Sequence, residues 1–396
     1  MASASTLPAV SHAWVVVGCA FVVAMCGWGF GFYGPGIYMA ELHRLHGWPT
    51  SLVSTAVTLF YLVSAALIVF VADAFERFGP RRVVLTAGAA MALGVALLPL
   101  AWAPWQVFPI FLVMAVGWAG MSGAAVNTLV APWFGARRGL AVSLALNGSS
   151  TGGIVIAPLL IFVIGRLGFR AGLHVAAATM LALMVVVTLA FRRHAPAMAR
   201  PDAAAAVTRQ ALLVDRRFVT MCVAFALGLL AQVGFLTHQV PYLLTFVDPA
   251  GAGLAVSLTT IAALTGRTAT GFIVDRLDAR VVSAVNFAVQ AVALVVLIRA
   301  DATAPVYVGC VLLGLSVGNM VTLPSIIVQA EFPPEAFGRV ISLLLSINQF
   351  TFAFGPAILG ALRDWRGDYG AAFALCLALQ AVSTVVVLLG RRSGSP

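Results

Sequence analysis

Twelve apolar runs, each about 20 residues long, dominate the sequence; they begin near Trp14, Ser51, Arg82, Gln106, Leu140, Ala171, Phe218, Leu254, Val281, Ala304, Val340 and Ala371. A run of that length matches the thickness of a bilayer crossed as a helix and is about twice what a barrel strand needs. In hydrocarbon every backbone N–H and C=O must be satisfied within the protein, which a helix does within its own run. The composition agrees: 62% of residues are hydrophobic and 9% are charged, too few charges to cover a soluble surface. The expected fold is therefore an all-α polytopic membrane protein with 12 transmembrane helices. The first residues, from Met1 to Trp14, carry no basic segment ahead of the first run, so no removable signal peptide is expected.

The longest polar interruption runs from Arg192 to Arg217 and contains alanine repeats and six arginines. It predicts two six-helix bundles, residues 1–191 and 218–396, joined by a cytoplasmic linker, 192–217. The loop arginines set the orientation. With both termini inside, sixteen arginines fall on the inner side and six on the outer side, the asymmetry expected of cytoplasmic loops. A net charge of +10 then points to anionic lipid as the partner of these loops, and no nucleic-acid partner is expected. Five cysteines, all within apolar runs and without CxxC spacing, read as packing residues, not as metal ligands or disulfides.

The two halves echo each other at one offset. Ala72-x3-Glu76-Arg77-x-Gly79-x-Arg81-Arg82 follows the second run, and Gly271-x3-Asp275-Arg276-x-Asp278-x-Arg280 follows the eighth, 199 residues later. The same offset takes Gly139 to Gly338 and Ser143 to Ser342. A duplicated six-helix unit accounts for both coincidences.

These loops resemble the G-x3-D-R-x-G-x-R-R signature of the major facilitator superfamily. The first copy departs from it at Ala72 and Glu76, and the second at Asp278. A carboxylate beside an arginine at a helix end can pair with a neighbouring helix, so Glu76, Arg77, Gly79, Arg81, Arg82, Asp275, Arg276 and Arg280 are expected to form cytoplasmic gates. A narrower likeness lies in Trp133-Phe134-Gly135-Ala136-Arg137-Arg138-Gly139-Leu140-Ala141 and in Gly266-Arg267-x3-Gly271-x3-Asp275. These are similar to the monocarboxylate transporter and oxalate/formate antiporter-like branch. The resemblance implies that Arg267, in the eighth helix, contacts a substrate carboxylate.

Physical chemistry points to the same arginine. Arg267 stands eight residues before Asp275, about 12 Å along a helix, so its side chain reaches headgroup water poorly. Such a residue is costly within a membrane and is a functional-site hypothesis by default. All thirteen acidic residues fall in loops or at helix ends. A guanidinium fork suits a carboxylate in bidentate contact, so a transported organic anion is the expected counter-charge. The other reading is an arginine satisfied by backbone carbonyls and tyrosines between helices.

His238, in Thr237-His238-Gln239-Val240-Pro241-Tyr242, resembles a histidine-proline segment of the same branch. It lies about 30 Å along its helix from Arg217, well outward of Arg267. A gating or proton-accepting group fits that height, and so does a structural histidine bonded to a neighbouring hydroxyl. Asn127, Gln232, Asn319, Asn348 and Gln349 lie within runs and are expected to face the bundle. Asn127 and Asn348 are the candidates for a substrate cavity. Tyr33 joins them because it lies in a glycine-rich stretch, Gly27 to Gly36, where the first helix can bend. Relatives in the branch often carry an acid one turn before the arginine, or a lysine in the first or eleventh run. Here Ala263 stands at the former place and the chain has no lysine.

The sequence thus describes a secondary transporter of the cytoplasmic membrane, with both termini cytoplasmic. It is expected to move a small monocarboxylate-like anion by alternating access, with proton symport and anion exchange both open. A fixed cation without a midplane acid argues against the alternative, efflux of a drug or metabolite by the same fold. A membrane sensor, the reading from another class, would need a sizeable soluble domain. No GxxxxGK[ST] loop occurs, so ATP-driven transport is not supported. No cofactor, metal or enzymatic activity is expected, and the chain is expected to act as a monomer.

Overall fold

The computed structural model describes residues 7–134, 138–191, 209–333 and 336–391. Among these residues the structure is helical, with no strand. Eleven segments are long and apolar enough to cross a membrane. One of them, Gly139–Ala190, is 52 residues long and turns at Gly168, whose φ is 80°. That backbone is natural only for glycine, and it divides the segment into two helices. Twelve helices result, one for each apolar run.

The first six are α1 (His12–His46), α2 (Thr50–Ile68), α3 (Val71–Leu100, whose first turns are set off from the spanning part by the non-helical Gly79), α4 (Pro104–Trp133), α5 (139–167) and α6 (169–190). The second six are α7 (Arg216–Leu243), α8 (Pro249–Ile273), α9 (Ala279–Ile298), α10 (Thr303–Glu331), α11 (Phe337–Arg366) and α12 (Gly370–Leu389). Short acidic side chains start several of them. Asp215 accepts from the Arg217 N–H at 2.8 Å, Asp248 from the Gly251 N–H at 2.9 Å, and Asp278 from the Arg280 N–H at 2.8 Å. Each satisfies a helix-start donor that has no partner within the helix.

The chain forms two compact units. One holds Met1–Leu45 and Leu59–Arg200, and the other holds His46–Thr58 and Pro201–Pro396. The first turns of α2 therefore belong with the second unit. The two units repeat the same pairings: α1 with α5 and α7 with α11, α3 with α4 and α9 with α10, α3 with α6 and α9 with α12. The first of these pairings is made backbone to backbone in both units. A Cβ on Gly152 would lie 2.8 Å from the Gly29 nitrogen, and one on Gly355 would lie 3.0 Å from the Gly234 nitrogen. In the first unit this crossing coincides with two π-helical turns, Gly29–Tyr33 and Gly152–Ile156. The glycine-rich stretch of α1 is thus a widened helical turn and not a break in the helix.

The second unit carries a polar interior. Gln290 donates to Gln232 at 3.1 Å, and Gln380 donates to Gln290 at 2.8 Å and to the Gly228 carbonyl at 3.1 Å. This chain of amides ties α7, α9 and α12 together where water cannot compete.

Arg280, at the start of α9, is 1% exposed. Its Nε and Nη2 donate to the two Glu331 carboxylate oxygens at 2.6 Å and 2.9 Å. Nη1 reaches Thr220 Oγ1 at 3.0 Å and the Val387 carbonyl at 2.9 Å, and Nη2 reaches the Arg217 carbonyl at 2.7 Å. Gly390 makes the space, since a Cβ there would strike Arg280 Nη1 and Thr220 Oγ1. The ends of α7, α9, α10 and α12 thus converge on one guanidinium. Its counterpart at the 199-residue offset, Arg81, donates to the Leu189 carbonyl of α6 at 2.9 Å. Both arginines therefore bind the last turns of their unit's final helix. The acid has no such counterpart, because the offset takes Glu331 to Pro132.

Removing one partner of a buried ion pair leaves a charge without compensation. Glu331→Ala is expected to destabilise the protein by about 3 kcal/mol, the low end for a buried pair because Glu331 keeps some contact with solvent. The double variant Arg280→Met/Glu331→Leu should recover most of that loss. Thermal unfolding in detergent micelles checks both; a single variant as stable as the parent would remove the hub from the fold's foundations.

Candidate functional site

The site is built on the crossing of α8 and α10. Along α10, Gly314 and Gly318 lie four residues apart, the spacing that lets two membrane helices approach backbone to backbone. A Cβ on Gly314 would strike the Thr259 carbonyl, one on Gly318 the Ala263 carbonyl, and one on Gly266 the Leu315 carbonyl. The two helices are thus locked in register along more than two turns. The sequence reading passed over Gly314 and Gly318, although the Gly-x3-Gly spacing signals them.

Arg267 sits on this seam. It is half-buried, and its Nε donates to the Gly318 carbonyl at 3.1 Å. That bond fixes the plane of the guanidinium against α10. The same carbonyl lies where α10 has a hitch, between Thr303–Val317 and Asn319–Glu331. One donor of Arg267 therefore meets a backbone carbonyl, as one of the two readings of this residue expected. The next residue on α10, Asn319, donates to Asn286 of α9 at 2.9 Å.

Asn348 of α11 is 1% exposed, and neither its amide nitrogen nor its oxygen has a hydrogen-bond partner among the described residues. The neighbouring Gln349 Nε2 is in the same position. In an apolar interior an unmade hydrogen bond costs about 1–3 kcal/mol. Each is a buried polar group of α11 whose hydrogen bond no described residue makes.

In the first unit, Tyr33 is half-buried on the π-helical turn of α1, edge-on to Phe32 at 5.2 Å between ring centroids. Phe32 lies parallel to Trp118 of α4 at 6.5 Å, and Trp28 lies 5.0 Å from the same indole. Asn127 is exposed on the second half of α4.

His238 is fully buried. Its Nε2 lies 2.9 Å from the Pro356 carbonyl and its Nδ1 3.3 Å from the Tyr369 hydroxyl. A carbonyl can only accept, so Nε2 carries the proton and Nδ1 faces the hydroxyl. The histidine thereby ties α7 to α11 and to the start of α12.

Of the signature loops, the first copy is open to its surroundings. Glu76, Arg77 and Arg82 are exposed, and the Arg77 guanidinium lies over the Phe78 ring at 5.4 Å. Gly79, with φ 78°, interrupts the helical backbone of α3 just before Pro80, and Arg81 is half-buried. In the second copy, Asp275 lies in the short turn Val274–Arg276; its side chain falls outside the described residues. Arg276 is exposed, whereas Arg280 is the buried hub described above. Gly135 to Arg137 and residues 192–208 likewise lie outside the described residues.

Comparison with known proteins places the chain. The sequence profile described as Major Facilitator Superfamily matches residues 16–247 and 238–396. The chain is 27% identical over 331 residues to MFS-type transporter 1 of Ophiocordyceps sp. (strain BCC 1869), covering 80% of this chain and 71% of the relative. It is 27% identical over 317 residues to monocarboxylate transporter 11 of Mus musculus, covering 76% and 70%. Among solved structures, the nucleoside transporter NupG superposes with a TM-score of 0.77 at 14% identity, covering 96% of this chain and 98% of that one. At that identity the likeness shows the fold.

The α8–α10 seam and the signature loop make opposite demands on their glycines. A Cβ on Gly318 would meet the Ala263 carbonyl and lie 3.2 Å from Arg267 Cβ, whereas one on Gly271 would meet nothing within 4 Å. Gly318→Val is expected to destabilise the protein by about 1–3 kcal/mol through overpacking, and Gly271→Ala to change it by less than about 0.5 kcal/mol. Thermal melting of the two variants side by side is the check. Equal effects would mean that the seam does not set the position of Arg267.

Proposed function

Because the chain belongs to the major facilitator superfamily and is one of its multi-pass transporters, we propose that it moves a small monocarboxylate-type organic anion across the cytoplasmic membrane by alternating access. The observation that carries this reading is Arg267, a cation held within a membrane-spanning helix by the Gly318 carbonyl and by a glycine-to-backbone seam. A guanidinium fixed through Nε is pre-oriented for a planar carboxylate, so less freedom is lost when the anion binds. The likeness to monocarboxylate transporter 11 supports the same substrate class.

In this reading Asn348, Tyr33 and Asn127 are further substrate-binding residues beside Arg267. One fixed cation suits a monoanion better than a dicarboxylate. Glu76, Arg77, Gly79, Arg81, Arg82, Asp275, Arg276 and Arg280 are the cytoplasmic gate residues of the two bundles, 1–191 and 218–396, with 192–217 as the cytoplasmic linker and both termini cytoplasmic. His238 is the gating or proton-accepting group. Proton symport and anion exchange differ in whether a proton accompanies the anion, and both use the same arginine.

Purified protein in liposomes, offered labelled lactate, pyruvate, formate or oxalate, tests the reading. Arg267→Ala is expected to lower uptake at least about tenfold, a loss of about 1.4 kcal/mol of binding. Arg267→Lys should fall in between, because an ammonium lacks the planar fork. Uptake that survives Arg267→Ala unchanged would sink the proposal, and uptake of organic cations alone would move the chain to the efflux class. A pH jump in the same assay separates symport, where an inward proton gradient accelerates uptake, from exchange, where preloaded anion does.

A further inference from the structure

The start of α2 and the end of α11, both remote from the signature loops, are joined in antiparallel register. The Ser51 N–H of α2 donates to Asp364 Oδ2 of α11 at 2.7 Å, and the Ala357 N–H of α11 donates to Thr58 Oγ1 of α2 at 3.2 Å. Ser51 and Thr58 are seven residues apart, as are Ala357 and Asp364. Between the two bonds Ser54 faces Gly360, where a Cβ would strike the serine hydroxyl. Ser54 is fully buried and Thr58 nearly so.

Each bond caps a helix start with a side chain of the other helix. The Ser51 N–H is one of the first amides of α2, which have no partner within the helix, and a carboxylate there also meets the positive end of the helix dipole. The other start is internal. α11 is interrupted after Phe352 and resumes as Gly355–Arg366, and the residue before the resumed part, Phe354, makes no side-chain cap. Thr58 supplies the missing acceptor. The peptide group between Pro356 and Ala357 is thereby engaged on both sides, since its carbonyl accepts from His238 Nε2 at 2.9 Å while its N–H donates to Thr58. Bonds on the two sides of one peptide polarise each other, so His238 of α7 acts on α2 through it.

α2 is also the helix that the two compact units share. The division falls directly after Thr58: residues 46–58 go with the second unit, and the helix from Leu59 onward goes with the first. There the Phe60 and Tyr61 rings lie 6.0 Å and 6.2 Å from the Trp118 ring of α4. Yet Thr50–Ile68 is one uninterrupted helix. We infer that the first turns of α2 are a strap latched to α11, with Asp364 and Thr58 as the latch and His238 as the residue that positions it, and that the strap lifts from α11 each time the transporter opens on that side.

The latch has the strength such a part needs. It consists of two hydrogen bonds and a contact between small residues, so the differential binding of a substrate to the two states can offset it. It also gives the gating reading of His238 a physical partner, the Pro356–Ala357 peptide and through it Thr58. The strap rests on alternating access and not on which anion is carried.

A reversible cross-link tests it. A Cβ on Gly360 would lie 3.1 Å from Ser54 Cβ, close to the separation of about 3.5–4.5 Å between the Cβ atoms of a disulfide. The full chain carrying Ser54→Cys/Gly360→Cys, in liposomes, is expected to take up labelled anion at least about tenfold more slowly when oxidised, and dithiothreitol should restore the rate; each single cysteine variant should respond to neither. Oxidised protein that transports as fast as the reduced form would overturn the strap, because a contact that never opens can be cross-linked without consequence. Hydrogen exchange in nanodiscs needs no substrate, so it decides the latch even where no offered anion is taken up. Asp364→Ala and Thr58→Val should each raise exchange in the segment 50–58 at least about fivefold, as loss of one hydrogen bond predicts, and leave 279–298 within about twofold. Asp364→Asn, which keeps an acceptor, should fall between Asp364→Ala and the parent. Exchange in 50–58 that is unchanged in both variants, or raised equally in 279–298, would overturn the latch. His238→Leu should raise exchange in 50–58, and His238→Gln, which keeps a donor, should restore it; equal exchange in the two would remove His238 from the inference.

Discussion

A polar group in hydrocarbon must find its partner inside the protein, and the arrangement of this molecule follows from that requirement. Helices satisfy their own backbones. Side chains that remain polar within the spans are then gathered into contacts: Gln232, Gln290 and Gln380 into a chain of amides, His238 between Pro356 and Tyr369, Asn319 with Asn286. Arg280 gives up nearly all its exposure because Glu331, a threonine hydroxyl and two carbonyls accept hydrogen bonds from its guanidinium. The gathering is incomplete at Asn348 and at the Asn319 side-chain oxygen, whose hydrogen bonds no described residue makes.

The second organising element is close approach without side chains. Glycines at the crossings of α1 with α5, α7 with α11 and α8 with α10 remove the Cβ atoms that would hold the backbones apart. Van der Waals contact then replaces the hydrophobic effect, which is weak between helices already in lipid. At α8 and α10 this contact also brings the Gly318 carbonyl within reach of Arg267. The fold's packing device and the candidate anion site are therefore one piece of geometry.

Duplication explains what the halves share, and departures from it show where they differ. Arg81 and Arg280 stand at the same place in each repeat, and both hold the last turn of the sixth helix of their unit. Glu331 has no acidic counterpart, and Arg267 corresponds to Ile68. The second unit therefore carries both the buried ion pair and the cation of the candidate site, an asymmetry that a symmetric bundle does not need for folding.

The sequence by itself determined the membrane class, the twelve helices and the repeat, because each follows from sums over neighbouring residues: run length, charge count and a constant offset; the family was legible in the likeness of its loops to a known signature. It also singled out Arg267, since a cation deep in an apolar run is anomalous wherever the helix packs. The tertiary structure alone decided which polar groups meet. Arg280 and Glu331 are 51 residues apart, as are Arg267 and Gly318, and hydropathy does not record which faces of two helices touch. For the same reason Arg280, expected in a cytoplasmic gate loop, is the most buried charge among the described residues, while its signature neighbours Arg276 and Arg77 remain exposed. A signature states which residues occur at a helix end; whether one of them becomes a buried hub depends on a carboxylate and carbonyls that only packing delivers.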